Sequence, residues 1–331
     1  MEPVTHALAS LALGKAGVGR GMRGAVPMLL AAGLAADLDW AAYLGGPRAF
    51  LEAHRTASHS LIGTVVIAAA VAAVFTRVGR KADGKRPSFK SAFLVCLAGA
   101  SLHLLLDLGN PYGVKLLWPF SGKWFAWDLV TAVDPWMLFL LAAGLLLPGL
   151  FRLVTEEIGA KSRRVGRGAV VALVLAALYL GGRWMLYDRA STLLMARMYH
   201  GAMPLAAGAF PQAASPFAWN GVVVTENTIE EVTVPVGPGG EFDPERSRTF
   251  FKPEATPQLE AALESEVAKK FVSYARFPLA SVERIERGWR VTLRDMRFAG
   301  GSAGRGVEAV VEVNQQAQVI GEKWQWAGGR N

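Results

Sequence analysis

Long apolar runs in the N-terminal part of the chain constrain its fold more than any other feature. Five runs approach the ~20 residues that an α-helix needs to cross a hydrocarbon core, and they cover residues 24–44, 60–78, 89–108, 135–154 and 168–187. The apolar run over residues 4–15 is too short to cross alone, so it predicts a half-helix packed against the others. The sequence therefore predicts an all-α polytopic membrane helical bundle with about five spans and a short N-terminal half-helix.

The rest of the chain has the composition of a soluble domain. Apolar and polar residues alternate over 221–236, 281–298 and 306–326, which is typical of half-buried strands. Residues 257–274 have helical periodicity, and prolines and glycines separate the elements. We therefore expect two domains, a membrane-embedded helical domain over residues 1–190 and a small α+β domain over residues 191–331.

Basic residues are clustered between the apolar runs. The chain has 35 Lys and Arg against 27 Asp and Glu, a formal net charge of +8, and such a balance can indicate a nucleic-acid partner. Here, however, the clusters lie before the first span and in the loops at 77–90 and 161–167, and all three fall on one side if five spans alternate. The positive-inside rule makes that side cytoplasmic, so we expect no nucleic-acid partner.

The same topology predicts the cellular location. No cleavable signal peptide is evident, because Thr5 and His6 interrupt the first apolar stretch and Lys15 follows it. We expect the chain to be inserted by its own spans into the cytoplasmic (inner) membrane of a prokaryote. The loops at 45–59 and 109–134 and the whole C-terminal domain would then lie on the extracytoplasmic face.

Four of the five histidines lie in the first 103 residues, near three aspartates. Ionisable residues inside membrane helices are costly unless they are paired or bound, and imidazole and carboxylate groups are ligands of zinc and related metals. The single cysteine, Cys96, excludes a cysteine-based zinc site and an internal disulfide. The residues concerned are His6, Asp37, Asp39, His54, His59, His103 and Asp107.

The predicted topology brings these residues to one depth of the membrane. His103 and Asp107 are four apart, so they share one helix face near the outward end of their span. Asp37 and Asp39 are two apart, so a regular helix would point them in different directions. Either one of them ligates while the other orients a histidine, or the helix ends there. The alternative for each position is a structural role, such as a helix cap or an intramembrane hydrogen bond.

Four segments together resemble a known family: PVTHALASLALG, GLAADLDWAAYL, EAHRTASHSL and SLHLLLDLGNPYG. Over about residues 1–150 they resemble the YdjM-type membrane-bound metal-dependent hydrolases. That family is distantly similar to the zinc-dependent phospholipase C and P1 nuclease superfamily, an all-α fold with a His/Asp metal cluster. The resemblance implies four metal ligands, Asp39, His59, His103 and Asp107. It also implies three further candidates, His6, Asp37 and His54.

The chain departs from that superfamily in one respect. The superfamily's secreted enzymes carry a second His-x3-Asp/Glu pair later in the chain, and this sequence has none. Either Asp128 or Asp134 supplies the last ligands, or the site holds fewer metal ions. We therefore expect between one and three divalent ions, zinc in the first place and manganese as the alternative.

These residues suit hydrolysis by a metal-activated water. We expect the metal ligands to come from His6, Asp39, His54, His59, His103 and Asp107. Asp37 is the expected general base, and Arg55 is either a salt-bridge partner or the cation that neutralises phosphate charge. A site at the outer ends of membrane helices faces lipid headgroups, and the nearby Trp118, Trp124 and Trp127 suit an aromatic belt or a headgroup entrance. A lipid or amphiphilic phosphoester is therefore the expected substrate.

Two other function classes stay open. A transporter or ion permease would also use His and Asp residues, although here they gather at one membrane face instead of extending through the bundle. A metal hydrolase acting on another bond would use the same ligands, although the chain lacks the HExxH sequence of zinc proteases. No segment of the sequence points to a particular protein partner.

Overall fold

The computed structural model describes residues 1–78, 87–157, 166–298 and 306–328, with the backbone alone for residue 78 and residues 151–157. The basic residues at 80–86 and 161–165, on which part of the predicted orientation depends, lie outside the described residues. The chain divides into two compact units. One comprises Met1–Ala41 and Ala53–Trp184, and the other comprises Ala42–Glu52 and Met185–Asn331.

Helices form the first part of the chain, as the apolar runs predict. They are α1 (Pro3–Ala16), α2 (Ala25–Leu34), α3 (Gly46–Ala53), α4 (Leu61–Val78), α5 (Phe89–Leu108), α6 (Pro135–Glu157) and α7 (Arg167–Met195). A 3₁₀ helix, Ala35–Gly45, joins α2 to α3. The apolar run over residues 24–44 therefore continues without a break in helical structure but changes from α to 3₁₀ geometry at Ala35, near its middle.

Three described segments are long and apolar enough to cross a membrane: Ala25–Ala53, Phe89–Leu108 and Arg167–Met195. The two other predicted spans are apolar helices that are shorter over the described residues, Leu61–Arg77 and Pro135–Leu150. The prediction of a helical domain with apolar spans is confirmed, whereas the number of five stays a prediction.

Glycines allow α2 to pack closely against α1 and α5. A Cβ on Gly33 would overlap the Oγ of Ser10, and a Cβ on Gly99 would lie 2.7 Å from the carbonyl oxygen of Leu29. Small buried side chains fill the core that α2, α4 and α5 share, among them Ala32, Ala68, Ala72, Ala92 and Ala100. Helix association in a membrane depends on such small residues because they let the backbones approach. The close approach brings the α2 backbone next to α5.

Two four-stranded antiparallel sheets form most of the C-terminal part. The first has the order β1-β2-β3-β4, with β1 (Ala206–Pro211), β2 (Ala218–Val224), β3 (Thr228–Pro235) and β4 (Arg248–Phe251). The second has the order β5-β6-β7-β8, with β5 (Pro278–Ile285), β6 (Gly288–Asp295), β7 (Val307–Val313) and β8 (Val319–Trp326). Helices α8 (Pro257–Leu263) and α9 (Glu266–Tyr274) pack on the second sheet around Phe271. We call residues 206–326 the β domain.

The sequence pattern merged elements that the structure separates. Each alternating segment predicted as a strand belongs to a hairpin: β2 and β3, β5 and β6, or β7 and β8. Gly288 has a φ of 145°, which allows the tight turn between β5 and β6. The helix predicted over 257–274 is two helices because the Ser265 Oγ accepts a hydrogen bond from the Ala268 N–H and so begins α9.

Replacing Gly99 by alanine is expected to destabilise the protein, because the new Cβ would meet the Leu29 backbone, which cannot move aside. Overpacking of this kind costs about 1–3 kcal/mol, so the thermal unfolding midpoint in detergent should fall. Gly181→Ala is the matched control, since a Cβ there meets no neighbouring heavy atom within 4 Å among the described residues and alanine favours a helix over glycine. An unchanged midpoint for Gly99→Ala would contradict the close packing of α2 and α5.

Candidate metal centre

Histidine and aspartate side chains converge where four segments of the first unit meet. His6 comes from α1, Asp37 from the 3₁₀ helix, His59 from the loop before α4, and His103 and Asp107 from α5. The side chains of His6, His59 and Asp107 are fully buried, and those of His103 and Asp37 are 1% and 9% exposed. These five polar residues therefore share one site that is almost closed to solvent.

The potential ligand atoms of this group lie close together. One ligand atom from each of His6, Asp37, His103 and Asp107 falls within 4.8 Å of the others. His59 joins them, because its Nε2 lies 3.0 Å from Asp107 Oδ2 and 3.0 Å from His103 Nε2. The ring of His6 stacks on that of His103 with 3.8 Å between centroids. The group thus offers three imidazoles and two carboxylates.

The contact between the rings of His59 and His103 carries the most information about the site. His103 Nδ1 lies 2.8 Å from the carbonyl oxygen of Gly33, an acceptor, so this nitrogen carries the proton. His59 Nδ1 lies 3.1 Å from Asp39 Oδ2 and donates in the same way. In the neutral rings, both Nε2 atoms therefore direct lone pairs at each other across 3.0 Å. In this tautomeric state, a cation between the two nitrogens would relieve the repulsion of their lone pairs.

Burial argues against a proton as that cation. It lowers the pKa of His59 to about 4, because a charged imidazolium is disfavoured away from water. At neutral pH the His59 ring is thus neutral, and its Nε2 lone pair is free to bind a metal ion.

Several buried atoms of the group lack a hydrogen-bond partner among the described residues. They are Nδ1 and Nε2 of His6, Oδ2 of Asp37 and Oδ2 of Asp107. Buried polar atoms are normally satisfied, and a divalent cation would satisfy acceptors of this kind. Imidazole nitrogens and carboxylate oxygens without sulfur fit zinc or manganese. The residues present therefore fit a metal centre.

Asp39 has a different environment from that of the five grouped residues. Its two carboxylate oxygens accept four hydrogen bonds: from Nδ1 of His54 at 2.7 Å, the backbone N–H of Arg55 at 2.9 Å, Oγ of Ser58 at 2.7 Å and Nδ1 of His59 at 3.1 Å. A carboxylate that accepts from the far nitrogen of a ligating histidine fixes the ring's tautomer and orientation. The geometry of Asp39 suits this orienting role.

Asp37 and Asp39 diverge within the 3₁₀ helix, as positions two apart do in any regular helix. With three residues per turn, positions two apart are rotated by about 240°, so the two side chains leave the helix in different directions. Asp37 Oδ1 lies 4.0 Å from Nε2 of His59 and 3.8 Å from Nε2 of His103, whereas Asp39 meets His59 at Nδ1. The two aspartates thus approach opposite sides of the His59 ring.

Arg55 lies beside the same group. Its guanidinium donates to Asp107 Oδ1 at 3.1 Å and to Asn110 Oδ1 at 2.7 Å, and it lies 5.4 Å from the centroid of the Tyr112 ring. Asn110 also accepts from the Tyr112 N–H at 2.9 Å, so the NPYG sequence forms a turn that holds the arginine. The amino group of Met1 also contacts Asp107. Arg55 therefore brings positive charge to Asp107.

Besides Asp39, three candidate ligands from the sequence analysis lie outside the group of five. His54 is bonded to Asp39, and its ring centroid is 6.0 Å from that of His59. Asp134 accepts from the N–H of Met137 at 2.9 Å, at the start of α6, and from the Tyr179 hydroxyl at 3.1 Å. Asp128 is buried with a φ of 56° and is not among the clustered ligand residues.

Two groups that contact residues of the site were not predicted from the sequence. Ser58 donates to Asp39 and also lies 2.9 Å from Nδ1 of His59, and a serine next to a histidine gives little signal by itself. The Gly33 carbonyl fixes the His103 tautomer, and its position depends on the close packing of α2 on α5. Asn110 was visible within NPYG, but only the structure reveals its bond to Arg55.

Comparison with known proteins supports the first part of the chain as a unit. The family model described as YdjM inner membrane protein matches residues 1–190. The uncharacterized protein YfhP of Bacillus subtilis (strain 168) is 27% identical over 145 residues, which are 41% of this chain and 43% of that protein. The matched region thus spans less than half the length of this curated relative. No solved structure matches the chain.

Asp39→Asn is expected to weaken metal binding without abolishing it. The amide nitrogen cannot accept the hydrogen bonds that the carboxylate accepts, so the orientation of His59 would loosen. Loss of such an outer carboxylate costs about 10- to 100-fold in metal affinity, and titration of Co²⁺ into the chelator-treated protein measures it. Asp188→Asn makes the same change at an exposed position of α7 and should leave the affinity unchanged. Equal affinities for both variants would contradict the orienting role.

Proposed function

This chain belongs to the YdjM inner membrane protein family, and on that premise we propose that it is a membrane-bound metal-dependent hydrolase. Its His/Asp centre would bind a divalent cation, with zinc or manganese as the fitting ions, and cleave a phosphoester of a lipid or amphiphilic substrate. The observation that carries the proposal is the meeting of the His59 and His103 Nε2 atoms at 3.0 Å, beside Asp107 Oδ2.

We assign the ligand role to the five residues of the group: His6, Asp37, His59, His103 and Asp107. Asp39 and the Gly33 carbonyl then act as the groups that fix the tautomers of two ligands. The family resemblance implied that Asp39 is a ligand, whereas here Asp37 joins the ligands and Asp39 orients His59; the contacts of Asp39 with His54 and His59 support this assignment. His54 belongs with Asp39 in the shell around the centre.

The protein's own groups complete the chemistry. When bound, a divalent cation activates water at neutral pH and polarises the phosphoryl group. Asp37 Oδ2 has no hydrogen-bond partner among the described residues, so it can accept the proton that the attacking water releases. Arg55 holds Asp107 in place and adds positive charge where negative charge develops on the phosphoryl oxygens. Burial of the group keeps bulk water away from these interactions.

The position of the site in the helices supports an amphiphilic substrate. Asp37 lies in the apolar segment Ala25–Ala53, and Asp107 is next to the last residue of Phe89–Leu108. Ends of membrane helices lie near the headgroups, where tryptophan is enriched, and Trp40 near the site is 49% exposed. We propose that α4 and α6 also cross the membrane, which gives five spans. Lys15 and Arg20 lie at the opposite ends of α1 and α2, so the site and the C-terminal domain would be extracytoplasmic.

The purified full-length protein is expected to contain about one or two equivalents of zinc or manganese, the number that hydrolytic centres of this type use. Elemental mass spectrometry measures this content. The double variant His103→Ala plus Asp107→Ala should lose it, because it removes two buried ligands. His200→Ala is the control, since this histidine is 44% exposed and lies near Ser247 and Glu230 in the β domain.

The activity test uses the same preparations. Hydrolysis of phospholipid or polyprenyl phosphoesters in detergent should disappear with a chelator and return with added metal. Stoichiometric metal with no turnover of any phosphoester would favour another bond, and flux into sealed vesicles without hydrolysis would favour a transporter. Absence of stoichiometric metal from the wild-type protein, even after reconstitution, would exclude the proposed mechanism.

A further inference from the structure

The short stretch between Asp39 and His54 belongs to a different compact unit from these two residues. Asp39 and His54 lie in the first unit and are joined by a hydrogen bond of 2.7 Å. Residues Ala42–Glu52 group with Met185–Asn331. We call Ala42–Glu52 the bridging segment. The chain thus leaves the site after Asp39, enters the second unit, and returns just before His54.

Aromatic side chains hold the bridging segment within the second unit. The ring of Tyr43 stacks on that of Trp326, with 4.7 Å between centroids and an interplanar angle of 28°. Phe50 meets Trp326 at 5.4 Å and Tyr43 at 6.0 Å. Such aromatic pairs stabilise a contact beyond the area that they bury. Trp326, at the end of β8, is therefore the centre of a three-ring cluster.

One charged contact supports the aromatic cluster. Nζ of Lys270, on α9, lies 3.3 Å from Oε1 of Glu52, and Nε of Arg48 lies 3.1 Å from the same oxygen. These side chains are about half exposed, and exposed ion pairs contribute little to stability. The rings are thus the main attachment of the bridging segment to the β domain.

The helix of the bridging segment is not anchored by a buried face. Helix α3 contains no buried residue, and Leu44 is 91% exposed. A short helix without a buried face is marginally stable by itself. The ring contacts with Trp326 therefore contribute to the order of the segment.

We propose that the β domain, through Trp326, clamps the bridging segment and so positions the Asp39–His54 pair of the metal centre. Asp39 lies three residues before the segment and His54 two residues after it. Because Asp39 orients His59, release of the clamp would loosen one ligand of the centre without removing any ligand. Trp326 is a positioning residue in this proposal. Only the metal-binding arm of the test rests on the proposed function.

The test compares Trp326→Ala with Trp326→Phe in the full-length protein. Hydrogen exchange followed by mass spectrometry should show faster exchange over residues 42–53 in Trp326→Ala, by about threefold or more, and near wild-type exchange in Trp326→Phe, which keeps a ring. Co²⁺ affinity should fall about three- to tenfold in Trp326→Ala, with a changed visible Co²⁺ spectrum, and recover in Trp326→Phe. Phe251→Ala removes an aromatic ring that is 77% exposed on β4 and should change neither readout.

A double-mutant cycle covers the case in which Trp326→Ala unfolds the β domain. Tyr43→Ala removes the other half of the stacked pair without touching β8, and it should reproduce both effects. Combined with Trp326→Phe or Trp326→Ala, its effect on exchange should be less than additive. Unchanged exchange over residues 42–53 in folded Trp326→Ala and Tyr43→Ala would overturn the clamp. Wild-type protein that binds no Co²⁺ would instead overturn the proposed function, while the exchange arm would still report on the clamp.

Discussion

The hydrogen bond from His103 Nδ1 to the Gly33 carbonyl connects the packing of the helices to the chemistry of the site. It forms because glycines let α2 and α5 approach until a backbone oxygen reaches a side chain on the neighbouring helix. The bond fixes the tautomer, and the tautomer directs the Nε2 lone pair toward His59 and Asp107. A larger residue at Gly99 would therefore affect both the stability of the bundle and the geometry of its ligands.

Two kinds of acceptor orient the two central imidazoles. His103 donates to a neutral carbonyl, whereas His59 donates to the Asp39 carboxylate, which also accepts from His54, Ser58 and the Arg55 backbone. A carboxylate raises the basicity of the ring it accepts from more than a carbonyl does. The two Nε2 atoms that face each other would thus donate their lone pairs to a metal ion with unequal strength. Nε2 of His59, whose ring is bonded to Asp39, would be the stronger ligand. The loop before α4 therefore contributes both a ligand and the means of tuning it.

The sequence predicts those parts of the site that depend on local geometry. The spacing of His103 and Asp107 places them on one helix face, and the apolar runs predict the helices that carry them. Which of Asp37 and Asp39 faces the ligand cluster depends on the 3₁₀ geometry that begins at Ala35, within an apolar run that looks uniform. Contacts such as Tyr43 with Trp326 join residues that are far apart in the chain, and no local pattern encodes them. The sequence pattern predicted each hairpin as a single alternating segment, because the alternation of apolar and polar residues continues through a tight turn.

The residue at which the family match ends separates the metal centre from the β domain. The match ends at residue 190, before the first strand of the β domain at Ala206, and it includes every residue of the candidate metal centre. The bridging segment lies inside the matched region, yet its aromatic partner Trp326 lies outside it. A metal centre contained in the shared region can retain its ligands while its rigidity depends on the domain that follows it in the chain. On this view the β domain acts on the centre through the order it gives to the chain between Asp39 and His54.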